Sequence, residues 1–450
     1  MRFIRHLPAA AAICCAAILL FPSPLRAWTH LGGELDLTQR DFRVYNNFSD
    51  PEANNNTSSD LSFPGAVGAP LAIWKGYVEW GSELHGNGGG DPTQPLGIGS
   101  GGANFDPTWQ GYASSPGDTD SNVVSELNAF GGGVLAFTEL PISDGWRIRF
   151  YSDPVIWHDG PQSPPNISGH RDIQGVAAHE FGHALGLGHS SVLGTTMFAS
   201  SSVEETTVRS IEADDKLGIQ ALYGVASALK PHIATYELSG AGVIDLVGSG
   251  FASAGNTVWF TRATGVSDGV PVQVTGLPST NGGTRISCAI PSDAGPGDIL
   301  VKLPGSGHAD LSNAFPFDPA LQHCAGVVTY GVAKTTSQLA VPNLYSYSWP
   351  SATLNDFRIG TYGGIPNSLG ILFSGPGAQS RALMGGTLLV APPIQREQVF
   401  HFGMFGWTEL PIQVDPQMAG TTRHYQIWFL DSGDPWGIGL TDGMKVDFCP

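Results

Sequence analysis

Positive charge is scarce in this chain. Its 450 residues hold 21 Lys and Arg against 39 Asp and Glu, a formal net charge of −18. A surface this acidic repels nucleic acid and anionic membranes, which argues against phosphate-backbone recognition. Charge of either sign is low at 13%, while apolar residues reach 41%, so the chain can bury cores and is not disordered. No apolar run beyond residue 27 is long enough to span a membrane as a helix. Cysteine is rare, with five in all, and Cys14 and Cys15 lie in the N-terminal apolar run. Cys288, Cys324 and Cys449 remain, too few for a disulfide-dense scaffold and odd in number, so one is left unpaired or paired between chains. Cys324 and Cys449 bracket the last segment and are expected to pair. Closing so long a loop stabilises by roughly 5 kcal/mol in the chain-entropy model. Cys288 is then expected as a buried thiol.

Glycine (60) and proline (33) are plentiful, the composition of a turn-rich, β-rich protein of two or three domains. The opening stretch, MRFIRHLPAAAAICCAAILLFPSPLRA, has Arg2 and Arg5 before an apolar run and ends on the small residue Ala27. It reads as a secretory signal peptide over 1–27, cleaved near Ala27, so an extracellular or periplasmic location is expected. Cleavage removes three arginines and no acid, leaving 18 basic and 39 acidic residues and a net charge of −21. That acidity keeps a secreted protein soluble and makes calcium an expected second cation.

Along the rest of the chain, LDLTQRDFRVY (35–45) alternates apolar and polar residues like a strand. Ile73, Tyr77 and Trp80 share one helix face. GGVLAFTEL and WRIRFY alternate again, and residues 86–107 form a long Gly/Pro loop. In DIQGVAAHEFGHALGLGH, residues Ile173, Val176, Ala177, Phe181, Ala184 and Leu185 make an apolar helical stripe. After Tyr223 and Gly224 the texture changes to short alternating runs with turns every eight to twelve residues, as in a small β-sandwich. The pentapeptide TELPI occurs at 138–142 and 408–412 without matching flanks, too short for a repeat. The boundaries expected are 28–226, 227–318 and 319–450.

The stretch with chemistry in it is HEFGHALGLGH, residues 179–189. His179 and His183 are four residues apart, so on a helix both imidazoles face one ion. Glu180 stands beside them, within reach of a metal-held water. Gly186 lets the chain leave the helix through a conformation other residues avoid, and His189 returns as a third ligand. Three nitrogen ligands with one open position suit a catalytic zinc, whereas a structural zinc takes four protein ligands and has no use for Glu180. Chance would produce the whole pattern in a chain this long well under about once in a thousand at ordinary residue usage.

HExxHxxGxxH followed by a Met-turn resembles the metzincin signature, with Met197 in GTTMFAS. Within that clan the wording is similar to the matrixins: Ser190 directly follows the third histidine, and DDKLGIQALYG (214–224) resembles the end of a matrixin catalytic domain. The resemblance is specific over 172–224 and weaker over 28–171. It implies an α+β metzincin domain, a twisted mixed five-stranded sheet with three helices. It also implies zinc on His179, His183 and His189, Glu180 as general base, Met197 as the floor beneath the ion, and a protein or peptide substrate extended along an edge strand. Residues 198–212 would wall the pocket after the scissile bond, lined by Phe198. Two departures stand out. No cysteine lies between residue 27 and the motif, so matrixin-type cysteine latency is not expected. His158, Asp159 and His170 do not match the spacing of the family's second zinc site.

Residues 230–318 resemble an IPT/TIG domain through KPHI, VIDLVGSGF, NTVWF, RISCAIP, AGPGDILVKL and NAFPF, in that order. Such modules space domains or bind proteins and glycans. Residues 319–450 read as a disulfide-closed β domain in which Trp349, Trp407, Trp428 and Trp436 are core and rim aromatics before they are a glycan platform. The whole therefore reads as a metzincin domain followed by two all-β, sandwich-like domains, a secreted zinc endopeptidase. The competing reading is a surface or matrix adhesion protein with an inactive metzincin domain. Glu180 and all three histidines are present, which favours the enzyme. A zinc hydrolase acting on non-peptide bonds is a third reading.

Overall fold

The computed structural model describes residues 27–60, 62–85, 99–139, 145–200, 206–240, 242–262, 268–319, 327–347, 350–352, 355 and 357–449. The expected signal segment, Cys324 and Trp349 lie outside these residues. The first sheet has five strands: β1 (Asp41–Tyr45), β2 (Thr108–Tyr112), β3 (Val123–Phe130), β4 (Ala136–Glu139) and β5 (Arg147–Asp153). Their order is β2-β1-β3-β5-β4, with β4 antiparallel to β5 and the other pairings parallel. Alternation places Phe42 and Val44 of β1, and Ile148 and Phe150 of β5, on the buried side. A two-strand ladder, β6 (Ile156–His158) with β7 (His170–Asp172), leads into the motif helix. The strand expected from residue 35 begins only at Asp41. The Asp36 side chain accepts from Thr38 N–H and turns Leu37–Gln39 into a 3-10 helix instead, a local capping bond overriding alternation.

Three helices accompany the sheet: α1 (Gly68–Val78), α2 (Ile173–Ala184) and α3 (Ala213–Tyr223). Trp80, expected on α1, lies just past its end, yet it is fully buried and its indole N–H donates to Ala178 O of α2 at 2.9 Å. α1 and α2 meet backbone to backbone at Gly76, where a Cβ would lie 2.7 Å from Gln174 O. Glycine inside a helix costs about 1 kcal/mol against alanine, and this approach is what that cost permits. Phe181 stacks flat on Tyr77, centroids 3.6 Å apart, and meets Phe42 and Trp146 edge-on at 5.8 and 5.2 Å.

Seven strands follow: β8 (His232–Gly240), β9 (Val243–Ser249), β10 (Asn256–Arg262), β11 (Val272–Leu277), β12 (Arg285–Ala289), β13 (Ala294–Lys302) and β14 (Phe315–Phe317). They form two antiparallel sheets, β11-β10-β13-β14 and β12-β9-β8, whose side chains share one core of Ile244, Leu246, Val258, Phe260, Ile286 and Ile299. Cys288 lies in that core as a free thiol, its pKa pushed up to about 12 by burial. This unit packs on β2: Thr261 Oγ1 donates to Trp109 O at 2.7 Å, and Lys230 pairs with Asp106 at 2.8 Å. Leu37 joins Trp259, Leu300, Leu311 and Ala314 in a small shared cluster.

The C-terminal residues form a six-stranded sheet, a three-stranded sheet and a hairpin around a separate core. Cys449 is disulfide-bonded. Trp428 is half-buried, whereas Trp407 and Trp436 are 40% and 62% exposed. No helix among the described residues is long and apolar enough to cross a membrane.

The Phe181 stack yields a stability prediction. Phe181→Ala is expected to cost about 3–5 kcal/mol, read as a lower urea midpoint by tryptophan fluorescence. A midpoint equal to wild type would mean the stack carries little of this core.

Candidate metal centre

α2 is capped at Asp172, whose Oδ2 accepts from Gly175 N–H at 2.7 Å. The same carboxylate takes a two-pronged bond from Arg209, Nε to Oδ2 at 2.9 Å and Nη2 to Oδ1 at 2.6 Å, and Arg209 is wholly buried. The helix start is thus tied to the chain beyond Met197. At its other end, Gly186 N–H donates to His183 O and Leu187 N–H to Gly182 O, the two bonds that close a Schellman turn. Gly186 has φ +102°, and a Cβ there would lie 2.3 Å from Gly33 O. The N-terminal segment therefore lies directly against this turn, with Leu31 N–H on Gly186 O and Gly188 N–H on Thr29 O. The turn carries the chain back so that the ring nitrogens of His179, His183 and His189 lie within 4.8 Å of one another.

Each helical ligand is oriented from behind. A carbonyl can only accept, so His179 Nδ1 carries the proton donated to Thr196 O at 2.7 Å, and His183 Nδ1 that donated to Leu187 O at 2.8 Å. Both Nε2 lone pairs are left for a cation. Burial is the first cause lowering the pKa of both rings, to about 3 for His179, with the neighbouring imidazoles adding to it. Near pH 7 they are neutral, the form a metal takes. Three imidazoles, with no fourth His, Cys, Asp or Glu grouped with them among the described residues, fit zinc with an open position.

Met197 is fully buried under α2, and a Cβ on Gly182 would lie 2.1 Å from its Sδ. The turn carrying Met197 hangs on Asp215 of α3, whose Oδ1 accepts from Met197 N–H at 3.1 Å and whose Oδ2 accepts from Thr196 N–H at 2.8 Å. Asp214 accepts from Ser190 Oγ at 2.7 Å. Neither aspartate was given a role from sequence; the only signal was their place in DDKLGIQALYG. Phe198 is half-buried, and its residue bridges to Ser190. Part of the expected pocket wall, 201–205, lies outside the described residues.

Glu180 is buried beside the triad, and burial pushes its carboxyl up to about 7. Thr138 of β4 donates to Glu180 Oε2 at 2.8 Å, opposing that shift. This partner was also missed from sequence. His158 and His170 bond each other, Nε2 to Nδ1 at 2.7 Å, while Asp159 accepts from Asn56 N–H. Among the described residues no second group of three His, Cys, Asp or Glu side chains converges, so neither a further zinc nor a calcium site is assigned.

Residues 117–224 match the family model described as Matrixin, starting upstream of the stretch where the motif wording is specific. Human neutrophil collagenase is 45% identical over 69 residues, 15% of this chain and 15% of its own. Mouse matrilysin is 41% identical over 116 residues, 26% of this chain and 38% of its own. A soybean metalloendoproteinase is 37% identical over 94 residues, 21% of this chain and 30% of its own. The matched stretch is thus only a part of each relative. Among solved structures, a tetra-tandem repeat from a large adhesion protein overlaps 48% of each chain at 9% identity with a TM-score of 0.16, too loose to compare folds. The chain carries a matrixin domain, and such relatives support a zinc metalloprotease of that type.

The contact between Gly182 and Met197 predicts the effect of one methyl group. Gly182→Ala is expected to displace the thioether and lower zinc affinity by about tenfold, measured by competition with a chromophoric chelator. Unchanged affinity would mean the floor beneath the triad is not needed to hold the ion.

Proposed function

We propose that this protein is a secreted zinc endopeptidase in which His179, His183 and His189 hold the ion and Glu180 is the general base. The observation that carries the reading is the convergence of three imidazoles, the two helical ones oriented from behind, beside one buried carboxyl. Zinc bound there supplies an acidified water and a positive charge for the developing oxyanion. Glu180 takes the proton of that water as it adds to the peptide carbonyl carbon, then returns the proton to the departing amine nitrogen. A carboxyl raised toward neutrality by burial can both accept and give a proton near pH 7, and a nearby cation draws it back down.

The substrate is proposed to lie extended along β4, the outermost strand of its sheet, which offers main-chain donors and acceptors. Residues 198–212, with Phe198, are proposed to wall the pocket for the side chain after the scissile bond. Secretion rests on the composition of residues 1–27. The unit over 227–318 is proposed to be IPT/TIG-like, supported by its two sheets around one core.

The test is hydrolysis of a denatured protein or mixed peptide library by the purified chain. Glu180→Ala is expected to lower kcat by about 10²–10⁴ while zinc stays bound, and a chelator is expected to abolish cleavage. Zinc-loaded wild type that cleaves none of these substrates would overturn the proposal.

A further inference from the structure

Glu180 has a side-chain partner whose chemistry bears on catalysis. Thr138 sits on β4, paired in register with Ile148 of β5, and its hydroxyl reaches across to α2. There Oγ1 lies 2.8 Å from Glu180 Oε2 and 2.9 Å from Glu180 O. A hydroxyl has one proton to give, and the charged acceptor draws it more strongly than the neutral carbonyl. Oε2 is thus held on the strand side. Thr138 is the one side chain bonded to this carboxyl among the described residues, so Oε1 remains to meet a water. Without that tie, a glutamate buried beside the triad has three side-chain torsions to sample.

We propose that Thr138 is a positioning residue for the base: its hydroxyl fixes the Glu180 rotamer and selects which carboxylate oxygen takes the proton. The proposal rests on the peptidase reading above. It also gives β4 a second task. The strand proposed to seat the substrate is the strand that sets the base, so the reacting carbonyl and the proton acceptor are referenced to one rigid element.

The experiment compares Thr138→Val, which keeps a β-branched side chain of similar shape without the hydroxyl, with Thr138→Ser, which keeps the hydroxyl. Both are assayed as full-length, zinc-loaded protein, with zinc content and Tm measured alongside. The expected result is a kcat about tenfold or more lower in Thr138→Val, with KM, zinc content and Tm near wild type, and recovery to within about threefold in Thr138→Ser. In a Glu180→Asp background, whose shorter side chain withdraws from the hydroxyl, Thr138→Val should add no further loss. Wild-type kcat in Thr138→Val would overturn the proposal. So would equal losses in Val and Ser, or a full further loss in the Glu180→Asp background, each of which means packing of the strand and not the hydroxyl. If zinc-loaded wild type cleaves nothing, the peptidase reading fails and this one fails with it. If wild type cleaves and Thr138→Val matches it, only this one fails.

Discussion

The carboxylate of Asp215 is the contact on which the rest of the metal centre depends. It accepts from Thr196, Met197 and Glu212 N–H groups, so one buried side chain joins the start of α3 to the turn beneath the triad. Burial raises its pKa, and those donors act in the opposite sense. The consequences run outward. With Thr196 fixed, its carbonyl fixes the His179 ring; with Met197 fixed, its sulfur fills the space against Gly182. A ligand nitrogen on one helix is therefore positioned by an anion on another.

Around that anchor, α2 serves opposite demands on its two sides. Phe181 is locked among Tyr77, Phe42 and Trp146, while residues on either side of it in sequence carry the cation-binding face. Glycines stand where other backbone or the thioether comes too close for a Cβ, at 182 on this helix, at 186 in the turn that ends it and at 76 on its neighbour. Each weakens local structure slightly and gains close contact in return. The two helical imidazoles are neutral near pH 7, because burial keeps them unprotonated. Discharging the ligands in advance favours a dication over a proton.

What was legible in the sequence was local. The i, i+4 histidines, the glycine that turns the chain and the returning His189 are separated by steps that helix geometry alone converts to distance. The contact between Thr138 and Glu180 spans 42 residues and exists only because β5 carries β4 to the sheet edge beside α2. Alternation marked β4 as a strand but could not say which helix residue its hydroxyl would meet. Asp214 and Asp215 were visible as wording but not as anchors, since their partners sit in a loop whose path depends on Met197 being buried. The strand reading of 35–45 failed at its first half because a single Asp36 side-chain bond outweighed periodicity there. The cysteine arithmetic is legible to a similar degree: Cys288 is the free buried thiol and Cys449 is bridged, while Cys324 lies outside the described residues.

The two edges of the first sheet have different fates, and this bears on how the chain is built. Edge strands expose unpaired N–H and C=O groups and invite other strands unless they are covered. The β2 side is covered from within: β10 brings Thr261 onto Trp109 O, Pro296 lies where a Cβ on Gly65 would be, and Lys230 buries its charge against Asp106. A buried ion pair of this kind contributes little net stability, but removing one partner strands the other, which makes the junction specific. β4, at the opposite end, has β5 as its one neighbour in the sheet order. Of the two edges, the one with no second strand partner in the sheet order is the one tied to Glu180 by Thr138. The unit after Tyr223 accordingly does more than follow the matrixin domain in sequence. By packing on the far side of the sheet, it leaves β4, beside the triad, as the edge with a single strand neighbour.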